Sequence, residues 1–292
     1  MLKGNKNLII LHATVIVWGF TSVLVKLITI DAVSIVWYRL IIAVATLILW
    51  FALTKKSLKI TKKQFISFVL TGGIVALHWI FFSYSIHVST ISVTLVCMSS
   101  FTLFTSIIEP LIKKTKIVIP DILVGILICI GIFMIFKFES KYTLGIIFGL
   151  LAAVAASLFS TINSTFVQKC DPSIISFYEL AGGLFWITLY KFWDVNLLNK
   201  SFMLSTSDWI YLTILGSICT SVAYVAGVSV MRTMSAFRVS LVSNLEPVYG
   251  IILALIFFKD SEQMTTGFYF GSIIILAAVI LYPIYKNRNN SL

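Results

Sequence analysis

The sequence predicts an all-α integral membrane protein whose ten transmembrane helices form two inverted five-helix repeats. Composition is the first reason. Of 292 residues, 59% are hydrophobic and 11% charged, and the mean hydropathy is +1.03; a soluble domain carries about 25% charged residues. The second is that ten apolar runs, each near the roughly 20 residues a bilayer requires, alternate with short polar connectors. The third is an internal echo: residues 89–97 read STISVTLVC and residues 235–243 read SAFRVSLVS, a spacing of 235 − 89 = 146.

In order, the first run, 8–28, follows Lys3 and Lys6 as a signal peptide would. It has full spanning length and no clear small-residue cleavage site, so it is read as a retained helix. The second, 32–53, carries Arg39 and ends before Lys55 and Lys56. The third, 64–86, holds His78, Trp79 and Tyr84. The fourth, 90–112, contains Thr94 and Met98 and closes on Glu109 and Pro110, read as a helix stop at a depth water reaches. The fifth is 117–136. The sixth, 143–167, bears Ser157, Ser160, Thr161, Asn163 and Ser164. The seventh, 173–192, holds Glu179, and the eighth, 208–229, holds Gly216, Tyr224 and Gly227. The ninth, 235–258, places Asn244, Glu246 and Pro247 near its middle, and the tenth is 265–285. Connectors this short make neighbouring helices antiparallel and leave no room for a soluble domain.

The echo extends past the ninth run. Gly125 and Gly271 keep the spacing of 146; Asp31 and Asp171, Tyr38 and Tyr178, and Leu40 and Leu180 match at 140; Gly72 and Gly216 match at 144. Each match is weak alone, but they keep one order in both halves. They divide the chain into residues 1–138 and 139–292, five helices each, within a single membrane domain. Five is odd, so the second copy enters the membrane upside down, an arrangement that recurs in secondary transporters with a midplane site between the repeats.

The net charge of +11 raises nucleic acid as a partner. The basic residues, however, stand in short runs between apolar segments, as membrane topology produces, and no stacking platform accompanies them. With the N-terminus inside, 14 Lys and Arg fall on inner segments and 6 on outer ones, which places both termini in the cytoplasm; the expected location is the cytoplasmic (inner) membrane. Four cysteines without CxxC spacing support neither zinc nor a disulfide framework. There is no HExxH and no GxxxxGK[ST], so no metal, cofactor, catalytic residue or nucleotide motor is expected. The expected partners are the lipid bilayer and a small-molecule substrate, not nucleic acid. Ten helices suffice for a complete path in a monomer.

Helical spacing selects the candidate site. Ser240, Ser243, Asn244 and Pro247 fall at i, i+3, i+4 and i+7, with Thr94, Cys97, Met98 and Phe101 as their repeat mates. Ser157, Ser160, Thr161 and Ser164 form a second stripe beside Asn163, and His78 shares a face with Phe82 and Ser85. Trp18, Trp79, Tyr84 and Tyr224 are candidate aromatic walls. Small polar residues also serve as helix-packing groups, so these stripes stand equally as packing surfaces. Three charges sit inside runs. Arg39 is either a snorkelling helix anchor or a functional charge. Its repeat mate Glu179 is either structural or a protonatable group on the inner side, and inversion does not force the two into contact. Glu246, about eleven residues deep, is either a proton-coupling or ammonium-binding carboxylate or part of a helix bend.

Residues Trp18-Gly19-Phe20 through Lys26, Tyr38-Arg39-Leu40, Leu245-Glu246-Pro247-Val248 and the glycine of the tenth run resemble the drug/metabolite transporter superfamily, and within it the EamA-type permeases. The likeness spans nearly the whole chain. The departures are Phe101 in place of a first-half proline, Lys259-Asp260 in place of Gly-Glu, and Glu179 opposite Arg39. The resemblance implies a secondary active transporter, an exporter of small metabolites such as amino acids, working by alternating access. Its rivals are a multidrug or other solute permease, disfavoured by the lack of a carboxylate in 8–28, and a non-transporting membrane protein. A polar cavity of roughly 300–1,000 Å³ between the repeats would speak against the latter.

Overall fold

Six helices open on a side chain that accepts a backbone N–H of their first turn: Asp31, Thr61, Thr90, Asp171, Ser205 and Ser235. These six apolar runs thus start where the chain supplies its own cap, which satisfies donors that hydrocarbon would leave unpaired. The computed structural model describes residues 2–116, 119–194 and 204–289. The helices in order are α1 (Leu2–Leu27), α2 (Ala32–Thr54), α3 (Lys62–Val88), α4 (Ile91–Met98), α5 (Phe101–Lys113), α6 (Ile119–Phe138), α7 (Thr143–Phe166) and α8 (Pro172–Trp193). There follow α9 (Thr206–Ile214), a π-helical stretch (Leu215–Val222), α10 (Ala223–Val230), α11 (Ala236–Ser243), α12 (Glu246–Phe258) and α13 (Thr266–Asn289).

Among the described residues, eight stretches are long and apolar enough to cross a membrane. The fifth and tenth expected runs form α6 and α13, which pack on each other and are not among those eight. Large apolar side chains such as Ile9, Leu53, Phe133 and Ile256 are more than 60% exposed, as a lipid-facing surface requires. The chain is a multi-pass helical membrane protein.

The fourth and ninth stretches are each broken in two. The breaks lie at Ser99–Ser100 and Asn244–Leu245, within one residue of the 146 spacing (99 + 146 = 245). In both the ladder tightens to i→i−3: Ser100 N–H donates to Cys97 O and Leu245 N–H to Val242 O, each at 3.1 Å. Pro247 accounts for the second break, because it lacks the donor that Ser243 O would otherwise accept. The first break has Phe101 in the proline's place, and there the Ser100 hydroxyl donates to Cys97 O at 2.6 Å.

Glu109 and Pro110 do not stop their helix, contrary to the expectation above. Helix α5 runs through them to Lys113 and ends at Lys114, whose φ is 55°. Glu109 instead reaches the other half of the chain: its Oε2 accepts Phe237 N–H at 2.8 Å, while Lys113 holds Oε1 at 2.6 Å. Glu262 does the converse, accepting Ile91 N–H and Ser92 N–H at 2.9 Å each. Ile91 and Phe237 are repeat mates (237 − 91 = 146). Each N-terminus is therefore held by a carboxylate at the far end of the other stretch. Helix α4 lies on α12 and α5 on α11, so the fourth and ninth stretches run antiparallel.

A similar exchange joins α2 and α8. Lys56, just past α2, bonds Ser173 Oγ at 3.1 Å and pairs with Asp171 at 2.7 Å. Lys191, fully buried near the end of α8, donates to Ser34 Oγ at 2.8 Å, and Ser34 N–H is bonded to Asp31. Burial works against the charge on Asp171, but Lys56 and the Ser173 donors outweigh it and hold that carboxyl below its ordinary range.

Glycines set the closest approaches between halves. A Cβ on Gly72 would lie 2.1 Å from Glu179 O and 2.8 Å from Gly183 N; one on Gly216 would lie 2.6 Å from Ile42 Cβ and 3.0 Å from Arg39 O. The glycines match at 144 and the two charged residues at 140, so each ionisable side chain leaves its helix where a glycine of the other half backs onto it. Gly72→Ala has only backbone to displace and is expected to cost more than about 1–3 kcal/mol. Gly73→Ala would meet the Trp186 ring at 3.1 Å, which can swing aside. Thermal unfolding in detergent should show a melting temperature several degrees lower for the first than the second; equal losses would contradict the close packing of α3 on α8.

Candidate functional site

The break in the ninth stretch puts Glu246 in the first turn of α12, where side chains from both halves enclose a cavity of about 80 Å³. That is below the 300–1,000 Å³ set out above and leaves room for a handful of waters, at about 10–15 Å³ each as a minimum. The first half contributes Trp18 and Thr21 (α1), Arg39 (α2), His78, Trp79 and Phe82 (α3), Met98 and Phe101. The second contributes Phe159, Ser160 and Asn163 (α7), Cys219 of the π-helical stretch, Tyr224, Gly227 and Met231, and then Ser243 and Glu246 at the break.

Each polar group is oriented by a neighbour. Arg39 is 2% exposed; its guanidinium lies 4.1 Å above the Trp79 ring, and its Nε donates to the Thr220 hydroxyl. Thr220 is free to accept there because it sits in the π-helical stretch, where its own hydroxyl donates to Leu215 O five residues back. His78 Nδ1 lies 2.8 Å from Ala152 O, which requires the proton on Nδ1 and fixes the ring against Phe82 and Phe159. Asn163 Nδ2 donates both to Tyr224 Oη (3.1 Å) and to Glu179 Oε2 (3.0 Å), and Tyr224 Oη donates to the same Oε2 at 2.8 Å. Glu246 is partly exposed, its backbone carbonyl close to Gly19 of α1. Arg39 is the charge that acts on it across the cavity.

Of the residues singled out from sequence, Trp18, Arg39, His78, Trp79, Met98, Ser160, Asn163, Tyr224 and Glu246 therefore meet around one space. Six do not. Glu179 is fully buried behind Asn163 and Tyr224. Tyr84 is 42% exposed and packs on Phe148 at the outer surface. Thr94 is bonded to Ser85 Oγ and Thr90 O between helices. Ser164 donates to Thr161 O and Ser240 to Phe237 O, within their own helices. Asn244 Nδ2 donates to the Thr102 hydroxyl and so ties the break in α11–α12 to α5. Of the stripe Ser240, Ser243, Asn244, Pro247 only Ser243 reaches the cavity, where Val239 and Glu246 of the same stretch join it. Arg39 and Glu179 form no ion pair within 4.0 Å among the described residues.

Thr21, Phe159, Cys219 and Met231 line the cavity without having been singled out. Thr21 was accessible as i+3 from Trp18, and Met231 as i+7 from Tyr224. Cys219 was not, because the π-helical stretch changes the register ahead of α10.

Glu179 is the shared acceptor for Asn163 and Tyr224. Glu179→Ala leaves both donors buried without it and is expected to cost about 1–3 kcal/mol, whereas Glu179→Gln retains an oxygen acceptor and should lose less. Melting temperatures of the two purified variants check this; a harmless alanine would show that the network holds nothing together.

The model of the EamA-like transporter family matches this sequence twice, over residues 5–137 and 143–282. A solved structure described as "Crystal structure of protein" superposes with a TM-score of 0.70, covering 95% of this chain and 98% of its own at 13% sequence identity. At that identity the likeness is one of fold. No curated protein matches the sequence. Two successive matches to one model, covering nearly the whole chain, place the protein: it belongs to the EamA-like transporter family.

Proposed function

We propose that the protein is a secondary active transporter, exporting small metabolites such as amino acids by alternating access. In this reading ten helices form two inverted five-helix repeats in the cytoplasmic membrane, with both termini inside. The antiparallel run of the fourth and ninth stretches supports the inversion, because repeat mates lying side by side and antiparallel are related by an axis in the membrane plane.

The observation that carries the functional reading is the content of the cavity rather than its size. A cation, a carboxylate, an imidazole and an amide converge from both halves within a wall of aromatic rings, beside the one break that holds a proline. Packing alone does not call for such a set, since buried charges are kept beside partners or watery spaces. The small volume favours compact solutes over bulky drugs, which weighs against the multidrug alternative. The sequence carries no nucleotide-binding motif of the GxxxxGK[ST] kind, which fits transport driven by a gradient rather than by a nucleotide motor of the chain's own.

Counterflow into proteoliposomes loaded with pooled amino acids and metabolites tests this. The wild type should exchange a labelled solute. Glu246→Gln, at the cavity wall, should lower exchange at least tenfold, whereas Asn244→Ala, which loses only its bond to Thr102, should keep most exchange per folded molecule. The reverse order would contradict the site. No exchange by the wild type across the whole pool would turn the reading to a non-transporting membrane protein.

A further inference from the structure

Among the described residues, Arg39 is the only lysine or arginine lining the cavity, and its side chain is incompletely used. A guanidinium has five N–H donors in a planar fork. Thr220 takes the one on Nε and Trp79 covers a face, while Nη1 is buried without any hydrogen-bond partner. No carboxylate lies within 4.0 Å of it among the described residues. At 2% exposure it does not snorkel to an interface, which removes the anchoring role open to it from sequence. What remains is a charge held rigidly at one edge and one face, with its terminal edge unpaired beside a cavity.

We propose that this terminal edge of Arg39 grips a carboxylate of the solute, and that Arg39 thereby restricts the substrates to small carboxylate-bearing molecules. The inference deepens the transport reading and rests on it for the identity of the cavity as a substrate site. The geometry is that of paired N–H···O recognition: a planar fork whose orientation is already fixed loses little freedom on binding and matches two carboxylate oxygens. Among the described residues, Glu246 is the only carboxylate lining the same cavity. It stands apart from Arg39 rather than closing on it, and a solute bearing both charges would place its cationic group there. The Trp79 ring, which holds the guanidinium at 4.1 Å, forbids it from turning to meet Glu246 without losing that contact.

Binding can be read apart from transport by ligand-dependent thermal stability of the purified full-length protein. The probes are L-alanine, L-serine and L-threonine, compared with their methyl esters, which keep the ammonium and lack the carboxylate. The amino acids should raise the melting temperature of the wild type with half-saturation at least tenfold lower than the esters, and Arg39→Gln should abolish the difference. Should Arg39→Gln fail to fold, Arg39→Lys carries the test: it keeps the charge, loses the fork, and should weaken half-saturation at least tenfold. Equal protection by esters, undiminished protection in either variant, or no protection by any of the three amino acids would overturn the assignment. Protection without counterflow would sink the transport reading and leave the carboxylate site standing. Counterflow with no dependence on the carboxylate would do the opposite.

Discussion

A polar group inside hydrocarbon finds no water, so it must bond to protein. In this chain the partners that fix several helix ends come from the other half. Glu109 holds the start of α11 and Glu262 the start of α4; Lys56 and Lys191 each bond to the first turn of the partner helix at opposite ends of the α2–α8 pair. Neither half could satisfy these ends alone. The glycine contacts follow the same logic, with Gly72 against the backbone of Glu179 and Gly216 against that of Arg39. Close backbone approach without side chains between them is what lets membrane helices pack in the absence of a hydrophobic driving force.

The cavity is a consequence of that interlock. Two helices that each break near their middle cannot pack along their whole length, and at the ninth stretch the break turns Glu246 inward. Around it the polar groups are oriented one by one: Arg39 by Trp79 and Thr220, His78 by Ala152 O, Asn163 and Tyr224 by Glu179. Glu179 and Arg39 thus part company in function despite their matched places in the repeat. The first is held behind the wall, with one oxygen taken by Asn163 and Tyr224 and Oε1 buried without a partner, and the second has donors to spare at the wall itself.

Much of this was legible in the sequence. Composition and the ten apolar runs give the membrane class, and the echo at 140–146 locates both the duplicated unit and the glycines that matter. The polar residues of the third and sixth helices were readable because those helices keep their phase up to the site; Tyr224, beyond the π-helical stretch, was singled out as an aromatic residue and not by phase. Asn244 and Ser240 share a helical face with Ser243, yet only Ser243 meets the cavity: Ser240 donates to Phe237 O and Asn244 to the Thr102 hydroxyl of α5. Thr94 shows the same limit. Periodicity tells which residues share a face, but not whether that face meets a cavity or, as here, the hydroxyl of Ser85. The use of Glu109 as a cap on Phe237 has no local signature at all, since donor and acceptor lie 128 residues apart.

On the transport reading proposed above, one cavity between the two halves opens to each side of the membrane in turn. The most direct measurement is the accessibility of a single thiol on its wall. In a chain with Cys97, Cys129, Cys170 and Cys219 changed to serine, Ser243→Cys would be exposed to a membrane-impermeant maleimide added to one face of oriented vesicles and then, separately, to the other. A cavity with alternating access gives labelling from both faces. Labelling from neither face, or from one face only under all conditions, would contradict it.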